Sequence, residues 1–499
     1  MSVTVVDSAR LESHVGRPLR AVPGPPPERS TPLDRLTGLC DVGSLSTVRS
    51  AVRSAKVGNR AVGGDGVLGA AGRINGRPVV CYAQDMSFLG GSVGAAHAAT
   101  IAGVLQRAAR AQTPVVGFVE SAGARLQEGL AALDGYAEIF YEHVGLSGVV
   151  PQVSILTGTC AGGASYSPAL TDFVIMTQAA AMFLTGPGIV REVTGEAVTA
   201  AELGGPEVHS RNGVAHLIGA NELEATQLAQ RLLAYLPQHA RAPLPIAAPA
   251  APAASDPSRR IPANPRHPYD VRDPIAGIVD ADSILEIQPE WAPNIVVALA
   301  RLDGRPVGVV ANQPCRMAGV LNADASQKAA RFVRTCNAFG IPLIVLVDTP
   351  GFMPGRVQEE GGVIRHGAKL LHAFAEASVP RVTVVLRKAF GGAYITMNSR
   401  RLGADLVLAW DTAQLGIMGA AQAVGIINRR ELAAATSDDV REQLVAAYAA
   451  EHLDATAAAG GGHVDEVIAP HQTRGRILDA LAVTASGRRD TDRVRNIPL

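Results

Sequence analysis

Two glycine pairs in this chain have the setting of a site that stabilises negative charge. Gly162-Gly163 and Gly391-Gly392 each follow a predicted buried strand and precede a stretch compatible with a helix. Glycine adopts backbone conformations closed to other residues and lets a ligand approach the main chain closely. Adjacent N–H groups at the start of a helix point the same way and carry the positive end of its dipole. Both turns are therefore candidate oxyanion holes, in which paired N–H groups hold an oxygen as it becomes negative.

Simpler interpretations of these pairs stay open at this point. A single glycine pair is often only a tight turn between a strand and a helix. A phosphate-binding loop is the other alternative, but neither pair belongs to a GxxxxGK[ST] or GxGxxG sequence. Two pairs at equivalent places of a repeated unit favour a function over a simple turn.

No protein nucleophile or general base stands out beside the turns. Ser165 and Ser167 follow the first pair without a GxSxG sequence, and Cys160 ends a predicted strand with no evident base. Three histidines are candidates by residue type alone, and we expect them at surface or hydrogen-bonded helix positions: His97, His366 and His372. Two oxyanion holes without a base fit a reaction in which the second substrate is its own base.

The elements that position the two turns form a repeat. Gly76–Val79 (GRPV) recurs 228 residues later as Gly304–Val307, and Val150–Val153 recurs 229 residues later as Val379–Val382 in related form. Short β-branched runs alternate with Ala- and Arg-rich stretches of helical spacing, which predicts an α/β fold with covered sheets. The period is the size of a domain, so it predicts two related domains. The strands include Val153–Leu156, Leu343–Val347 and Val382–Leu386, and the helices include Ala98–Ala109 and Ser326–Phe339.

Four segments follow from this pattern. Residues 1–32 are expected to be disordered or extended, and residues 33–241 form the first domain. Residues 242–268 are rich in proline and alanine and are expected to be a linker, because their proline density excludes a helix. Residues 269–499 form the second domain.

Composition restricts the classes of partner. The 499 residues carry a formal net charge of zero, which argues against nucleic acid or a membrane surface as the main partner. No long apolar run and no leader-like start is present, so we expect a cytoplasmic protein. The five cysteines are scattered without a CxxC pair, which excludes a zinc ribbon and predicts reduced, mostly buried thiols and no metal site.

Long motifs in both halves make the chain recognisable. Val347–Gly392 strongly resembles the carboxyltransferase (β) subunit of biotin-dependent acyl-CoA carboxylases, and so do Ser121–Gly129 (SAGARLQEG), Gly158–Asp172 and Phe183–Pro187 (FLTGP). The resemblance extends from about residue 34 to the last residue and is closest to the short actinobacterial acetyl-/propionyl-CoA carboxylase type. It implies two tandem crotonase-like (ββα superhelix) domains.

The resemblance also implies roles for individual residues. Gly162 and Gly163 match the pair that holds the acyl-CoA thioester oxygen, and Gly392 and Ala393 match the pair that holds the ureido oxygen of biotin. Ile395 matches the position that shapes the acyl pocket. Two neighbouring aromatic residues are further substrate-binding candidates: Tyr166 and Tyr394. In such a site the thioester enolate and the ureido oxyanion are the two developing charges, and the ureido oxyanion takes the α-proton.

Partners follow from the same resemblance. The family shares each site between the first domain of one subunit and the second domain of another, so a homo-oligomer, typically a hexamer, is expected. The chain has no Met-Lys-Met biotinylation sequence and no ATP-binding glycine loop. Biotin would therefore be carried by an α subunit with biotin carboxylase and carrier domains, with a small ε subunit left open. Departures from the family pattern at Ser30–Leu39 and Thr100 leave undecided which basic residues hold the CoA phosphates. A third departure, Ala122 in place of the usual glycine, is small, and none of the three touches the glycine pairs.

Other functions stay open on the same residues. An acyl-CoA decarboxylase would use the same two holes to stabilise the enolate that remains after CO2 is lost. A carboxyltransferase of a specialised pathway would look the same in sequence. A non-catalytic scaffold that only binds the carrier protein is disfavoured, because it needs no paired glycine turns.

Overall fold

A computed structural model describes residues 30–265, 267–434 and 437–484, and its two halves are built on the same sheet. Residues 1–32 are expected to be disordered or extended. Of these, residues 1–29 lie outside the described part of the chain. A helix begins at Pro32, where Thr31 and Asp34 cap each other's backbone N–H groups and proline occupies the first turn.

The described part of the first half contains eight strands and eight α-helices. Its strands are β1 (Ser46–Val48), β2 (Val67–Ile74), β3 (Arg77–Gln84), β4 (Val115–Ser121), β5 (Gln152–Ala161), β6 (Phe173–Thr177), β7 (Ala181–Phe183) and β8 (Leu217–Gly219). Its helices are α1 (Pro32–Leu39), α2 (Ala95–Ala111), α3 (Leu130–Leu146), α4 (Tyr166–Ala169), α5 (Pro187–Thr194), α6 (Ala200–Gly204), α7 (Pro206–Arg211) and α8 (Glu222–Leu233).

The second half repeats this order with extra helices near its end. Its strands are β9 (Leu285–Ile287), β10 (Ile295–Leu302), β11 (Arg305–Asn312), β12 (Leu343–Thr349), β13 (Arg381–Phe390), β14 (Leu406–Trp410), β15 (Gln414–Gly416) and β16 (Glu466–Ile468). Its helices are α9 (Arg272–Ile278), α10 (Ala323–Ala338), α11 (Arg356–Glu360), α12 (Val363–Glu376), α13 (Gly391–Thr396), α14 (Ala420–Ile427), α15 (Arg429–Ala434), α16 (Asp438–His452), α17 (Ala455–Gly460) and α18 (Thr473–Thr484).

Strand order and register confirm the duplication. The first sheet runs β1-β2-β3-β4-β5-β6-β8 and the second β9-β10-β11-β12-β13-β14-β16, with β7 beside β5 and β15 beside β13. Val80 lies opposite Val115 in the parallel pair β3–β4, and Gly308 lies opposite Leu343 in β11–β12. Both partners are shifted by 228 residues, as the sequence repeat predicts. The predicted strands and helices are all present, each somewhat longer than expected.

The central strands are buried on both faces. Every residue of β4 and β12 is buried, as expected for parallel strands with helices on both sides. Helices α2 and α3 cover one face of the first sheet, and α9 and α18 cover one face of the second. The remaining faces belong to one hydrophobic cluster that contains Phe118 and Leu232 from the first half and Phe332 and Phe374 from the second. The two halves therefore share a core.

The segment expected to be a linker, residues 242–268, contains no helix or strand in its described part. It is hydrogen-bonded along the second half: Ala247 N–H donates to Gly304 O at 2.9 Å, and Ala253 N–H donates to Ala276 O at 3.0 Å. The carbonyl of Ala251 accepts from Ala281 at 3.0 Å. The segment is thus extended chain that lies along the second half, and the domain boundaries drawn around it stay a prediction.

A buried acid stands at the same position of both sheets, but its cation comes from different places. In the first half Glu120 of β4 pairs with Arg35 of α1, with 2.9 Å between Oε2 and Nη2. In the second half Asp348 of β12 pairs with Arg387 of the neighbouring strand β13, with 3.0 Å between Oδ2 and Nε. The residue equivalent to Arg387 in β5 is Gly158, where a Cβ would lie 2.1 Å from a Glu120 oxygen.

Candidate active site

Both glycine turns begin with a residue in the left-handed backbone region. Strand β5 ends at Ala161, and Gly162, with φ of +62°, starts a 3-10 turn over Gly162–Ser165 that leads into α4. Strand β13 ends at Phe390, and Gly391, with φ of +59°, starts α13. A side chain at either glycine would be strained, because L-residues rarely adopt this conformation. A glycine in the left-handed region therefore makes the turn from strand to helix in both halves.

The first N–H groups after each turn have no partner within their helix. The residues preceding the two helical turns, Ala161 and Phe390, make no side-chain cap. A Cβ on Gly163 would lie 3.2 Å from the Tyr136 ring, and one on Gly392 would lie 3.8 Å from the Phe352 ring. Each turn thus packs its second glycine against an aromatic ring.

A shift in strand register brings a second loop against each turn. The β4–β5 pairing shifts between Val119 and Ser121, and the β12–β13 pairing shifts between Val347 and Thr349. In the first half the loop after β4 then passes so close that a Cβ on Gly123 would lie 3.2 Å from the carbonyl oxygen preceding Gly162. The irregularity occurs at the same place in both copies, so it belongs to the site.

A buried ion cluster holds the loops of the first turn, and sequence reasoning missed it. The Arg125 side chain is fully buried, and its Nη1 lies 2.8 Å from both carboxylate oxygens of Asp65 and 2.9 Å from Glu128 Oε1. Its Nη2 donates to the carbonyl of Ser92 at 2.8 Å. Glu128 Oε2 in turn accepts from the Ala95 N–H at the start of α2. One guanidinium therefore connects three segments: the turn before β2, the residues before α2 and its own loop after β4.

The charges of this cluster depend on each other. Burial raises the pKa of Asp65, and the hydrogen bonds and positive charge of Arg125 offset part of that rise. Burial works against ionisation of Glu128 as well, but hydrogen bonds from Ala95 N–H, Ser54 and Arg125 lower its pKa overall. The equivalent of Arg125 in the second half is Met353, so only the first turn has this support.

The histidine candidates lie in different settings, and the thiol candidate is buried. His97 is buried between Gln84 and the Asp65 carbonyl, each at 3.0 Å, and burial lowers its pKa to about 3. His372 is exposed beside Glu376 at 3.4 Å, and burial lowers the pKa of His366. The Cys160 thiol is fully buried, and that burial raises its pKa far above neutral. Ser165 donates its hydroxyl hydrogen to the Gly162 carbonyl at 2.7 Å.

The three predicted substrate-binding side chains lie around the turns in different settings. Ile395 of α13 and Tyr166 of α4 are each half-exposed, with relative exposures of 50%. Tyr166 packs edge-on against Phe140 at a ring distance of 6.0 Å. Tyr394 is partly buried, and its hydroxyl donates to the His463 carbonyl at 3.4 Å. Tyr166 and Ile395 occupy equivalent positions of the two halves, and their roles stay predictions.

Cysteine, metal and membrane expectations can be compared with the described residues. Four cysteines are buried and Cys315 is exposed, so the prediction of burial is wrong for Cys315, which sits in the loop after β11. Within the described ranges, no three His, Cys, Asp or Glu side chains lie close enough together to hold a metal ion. No helix in the described part of the chain has the length and apolar character needed to cross a bilayer.

Two sheets related by duplication, each with a glycine turn that opens a helix, define a tandem crotonase-like fold. Residues 26–497 match the carboxyl transferase domain, and the chain belongs to this family. It is 45% identical over 477 residues to the biotin-dependent acetyl-/propionyl-coenzyme A carboxylase beta6 subunit of Mycobacterium bovis, covering 94% of this chain and 96% of that relative.

Relatives named for other activities are equally similar. The chain is 45% identical over 447 residues to methylmalonyl-CoA decarboxylase subunit alpha of Veillonella parvula, covering 87% of this chain and 86% of that protein. The crystal structure of transcarboxylase 12S, a hexamer with methylmalonyl-coenzyme A and methylmalonic acid bound, superimposes with a TM-score of 0.90 at 44% identity. That match covers 94% of this chain and 92% of the other.

Removing one N–H from either turn should abolish most turnover. Gly163→Pro and Ala393→Pro each delete a donor that has no intrahelical partner, and because Ala393 is fully buried the fold of each variant must be checked. We expect carboxylation with a biotin-carrying partner to fall by about 100-fold or more. Ala420→Pro at the start of α14 is the control, because the equivalent residue of α5 is already Pro187. Near-normal turnover in either turn variant, with parental oligomer size and melting temperature, would exclude that turn from the chemistry.

Arg125→Met should destabilise the first half in a pH-dependent way. The substitution leaves the Asp65 carboxylate buried without its cation, which we expect to cost about 3–5 kcal/mol of unfolding free energy at neutral pH. The folded-state pKa of Asp65 would rise further above its unfolded value, so the loss should shrink as pH falls towards about 4. Arg125→Lys should recover part of the stability. Denaturant unfolding from pH 7 to pH 4 measures this, and a pH-independent loss would contradict it.

Proposed function

We propose that this chain is the carboxyltransferase subunit of a biotin-dependent acyl-CoA carboxylase. It would transfer the carboxyl group of carboxybiotin to the α-carbon of a short acyl-CoA, converting acetyl-CoA to malonyl-CoA and propionyl-CoA to methylmalonyl-CoA. The observation that carries the proposal is the pair of bare, uncapped N–H turns at equivalent positions of the two halves. Two oxygens become negative in this reaction, and each needs its own donors.

Each of the two turns would stabilise a different oxygen. Gly162 and Gly163 would hold the thioester oxygen as the α-proton leaves, and Gly392 and Ala393 would hold the ureido oxygen. Carboxybiotin, when bound, supplies both the carboxyl group and the ureido oxygen that serves as base. Each backbone donor of this kind contributes about 3 kcal/mol to transition-state stabilisation, so positioning and charge stabilisation account for most of the catalysis.

Exposed apolar residues around both turns support a site completed by a second copy. Leu184 follows β7 beside the first turn and Ile417 follows β15 beside the second, and both are exposed at equivalent positions. Tyr166 and Ile395 form a second such pair. Apolar side chains clustered on a surface mark a protein–protein contact. We therefore place the first half of one copy against the second half of another.

Larger assemblies follow the same proposal. We propose a hexamer, the assembly described for transcarboxylase 12S. Biotin would be delivered by an α subunit with biotin carboxylase and carrier domains. Whether the complex also needs a small ε subunit stays an open question. A cytoplasmic location and a role in fatty-acid synthesis or a specialised pathway also stay predictions.

A decarboxylase is the second candidate function, because an equally similar relative carries that name. The discriminating experiment is reconstitution with biotin carboxylase and carrier subunits, in which carboxylation of acetyl-, propionyl- and butyryl-CoA is followed with and without ATP and bicarbonate. Carboxylation that depends on both supports the carboxylase. CO2 release from malonyl- or methylmalonyl-CoA without ATP, and no carboxylation, would support the decarboxylase instead.

Mixed oligomers test whether a site is shared between copies. Gly163→Pro inactivates the first half and Ala393→Pro the second, so each homogeneous variant should be nearly inactive. Co-expressed subunits with different affinity tags should regain part of the parental turnover, because some sites would then contain two intact turns. Co-expression is needed since a large interface exchanges slowly. Parental-like assembly with no recovered turnover would show that each chain builds its own site.

Ile395 should determine which acyl chain lengths the enzyme accepts as substrates. Its branched side chain leaves space for acetyl and propionyl groups, and each methylene in such a pocket discriminates by about 1–3 kcal/mol. Ile395→Ala should therefore raise the ratio of butyryl-CoA to acetyl-CoA kcat/KM by about 10-fold or more. Val483→Ala, at an exposed position of α18, is the control. An unchanged ratio in an active Ile395→Ala enzyme would remove this residue from the pocket.

A further inference from the structure

A large basic cleft lies between the two halves, away from both glycine turns. It has a cavity volume of about 930 Å³ and is bounded by the end of α7 in the first half and by α10 and α12 in the second. Among the described residues that line it, Asp324 is the only carboxylate. Its basic residues are Arg211, Arg331, Arg334, Arg365, Lys369 and His372. We call this space the inter-half cleft.

Nearby carboxylates balance only part of this charge. Glu376 lies 2.5 Å from Arg334 and 3.4 Å from His372, and Glu207 lies 3.0 Å from Arg211 at the surface. The negative charge of Asp172 acts on Arg331. Arg365 and Lys369 stand one turn apart on α12. Like charges at this spacing repel each other, and they act together with burial to lower the pKa of the neighbouring His366. Among the described residues that line the cleft, Arg365 and Lys369 form no ion pair with a carboxylate, and this pair of cations is suited to an anion.

One wall of the inter-half cleft is an aromatic ring held rigidly in place. Gly213, with φ of +82°, lies so close to Trp291 that a Cβ there would be 2.6 Å from the indole ring. The buried Lys328 donates to the Trp291 and Ile295 carbonyls, both at 2.8 Å. Gln288 donates to the Gly213 carbonyl across the two halves at 2.6 Å. The wall is therefore formed before any ligand arrives.

We propose that the inter-half cleft binds an organic polyphosphate of the nucleotide type. Arg365 and Lys369 would hold the phosphate oxygens through charge-assisted hydrogen bonds, and the planar base would lie against Trp291. The volume is within the range of small-ligand sites. No residue of either glycine turn lines the cleft. The shared chemistry has two sources, a free nucleotide and the nucleotide portion of coenzyme A.

Calorimetric titration of the intact oligomer tests the site without any turnover. The probes are ATP, sodium pyrophosphate and inorganic phosphate, each added in the absence of substrates. We expect ATP to bind more tightly than pyrophosphate, and pyrophosphate more tightly than phosphate. The double variant Arg365→Gln/Lys369→Gln should weaken ATP binding by about 10-fold or more, because it removes two charged donors. The matched control is Arg107→Gln/Arg110→Gln on exposed positions of α2, which should bind ATP as the parent does.

The Trp291→Leu variant tests the contribution of the base to binding separately from that of the phosphates. This variant should weaken ATP binding while leaving pyrophosphate binding within about 2-fold, since only ATP has a base to stack. Its melting temperature shows whether the wall is intact. If coenzyme A displaces ATP, and the double variant weakens the binding of both, the proposal holds with coenzyme A as the ligand. If coenzyme A does not displace ATP, the ligand is a free nucleotide. ATP binding that is absent at millimolar concentration, or unchanged in the double variant, would overturn the proposal. Both results are independent of whether the chain carboxylates acyl-CoA.

Discussion

The backbone conformation of one residue in each half determines the rest of the candidate site. At Gly162 and Gly391 the main chain leaves a central parallel strand and enters a helical turn within a single left-handed residue. This conformation leaves the following N–H groups without helical partners. The register shift of the neighbouring strand and the ring beside each turn are arranged around that point, and they recur in both copies. A side chain at either glycine would strain the turn whatever its chemistry.

The hydrophobic core runs continuously through both halves of the chain. One continuous cluster joins the face of the first sheet under α1 and α8 to the face of the second under α10 and α12. A joint of this kind fixes the two halves relative to each other. The surfaces around the turns retain exposed apolar residues such as Leu184 and Ile417. A second copy that buried these residues would complete the site and, at the same time, cover the apolar surface around it.

Much of the fold could be predicted from the sequence, because the repeat and the buried strands are local patterns. Contacts between distant residues could not. Arg125 was visible as part of a motif, but its partner Asp65 lies sixty residues away in an irregular segment. Lys328 looked like an ordinary helical lysine, although it is fully buried and bonds three carbonyls. The inter-half cleft gathers residues from three helices and two halves, and no spacing rule relates them. The glycine turns were found because their chemistry depends on adjacent residues.

The different origin of the cations beside Glu120 and Asp348 has a consequence for the history of the chain. After duplication, one copy kept glycine at position 158 and took its cation from α1, while the other copy carries Arg387 within the strand itself. A strand moved from one copy to the other would bring either a second guanidinium without room or no guanidinium at all. Recombination between the repeats would therefore yield chains that fold poorly. The ion pairs would thus oppose the exchange of strands between the two copies, which favours their divergence.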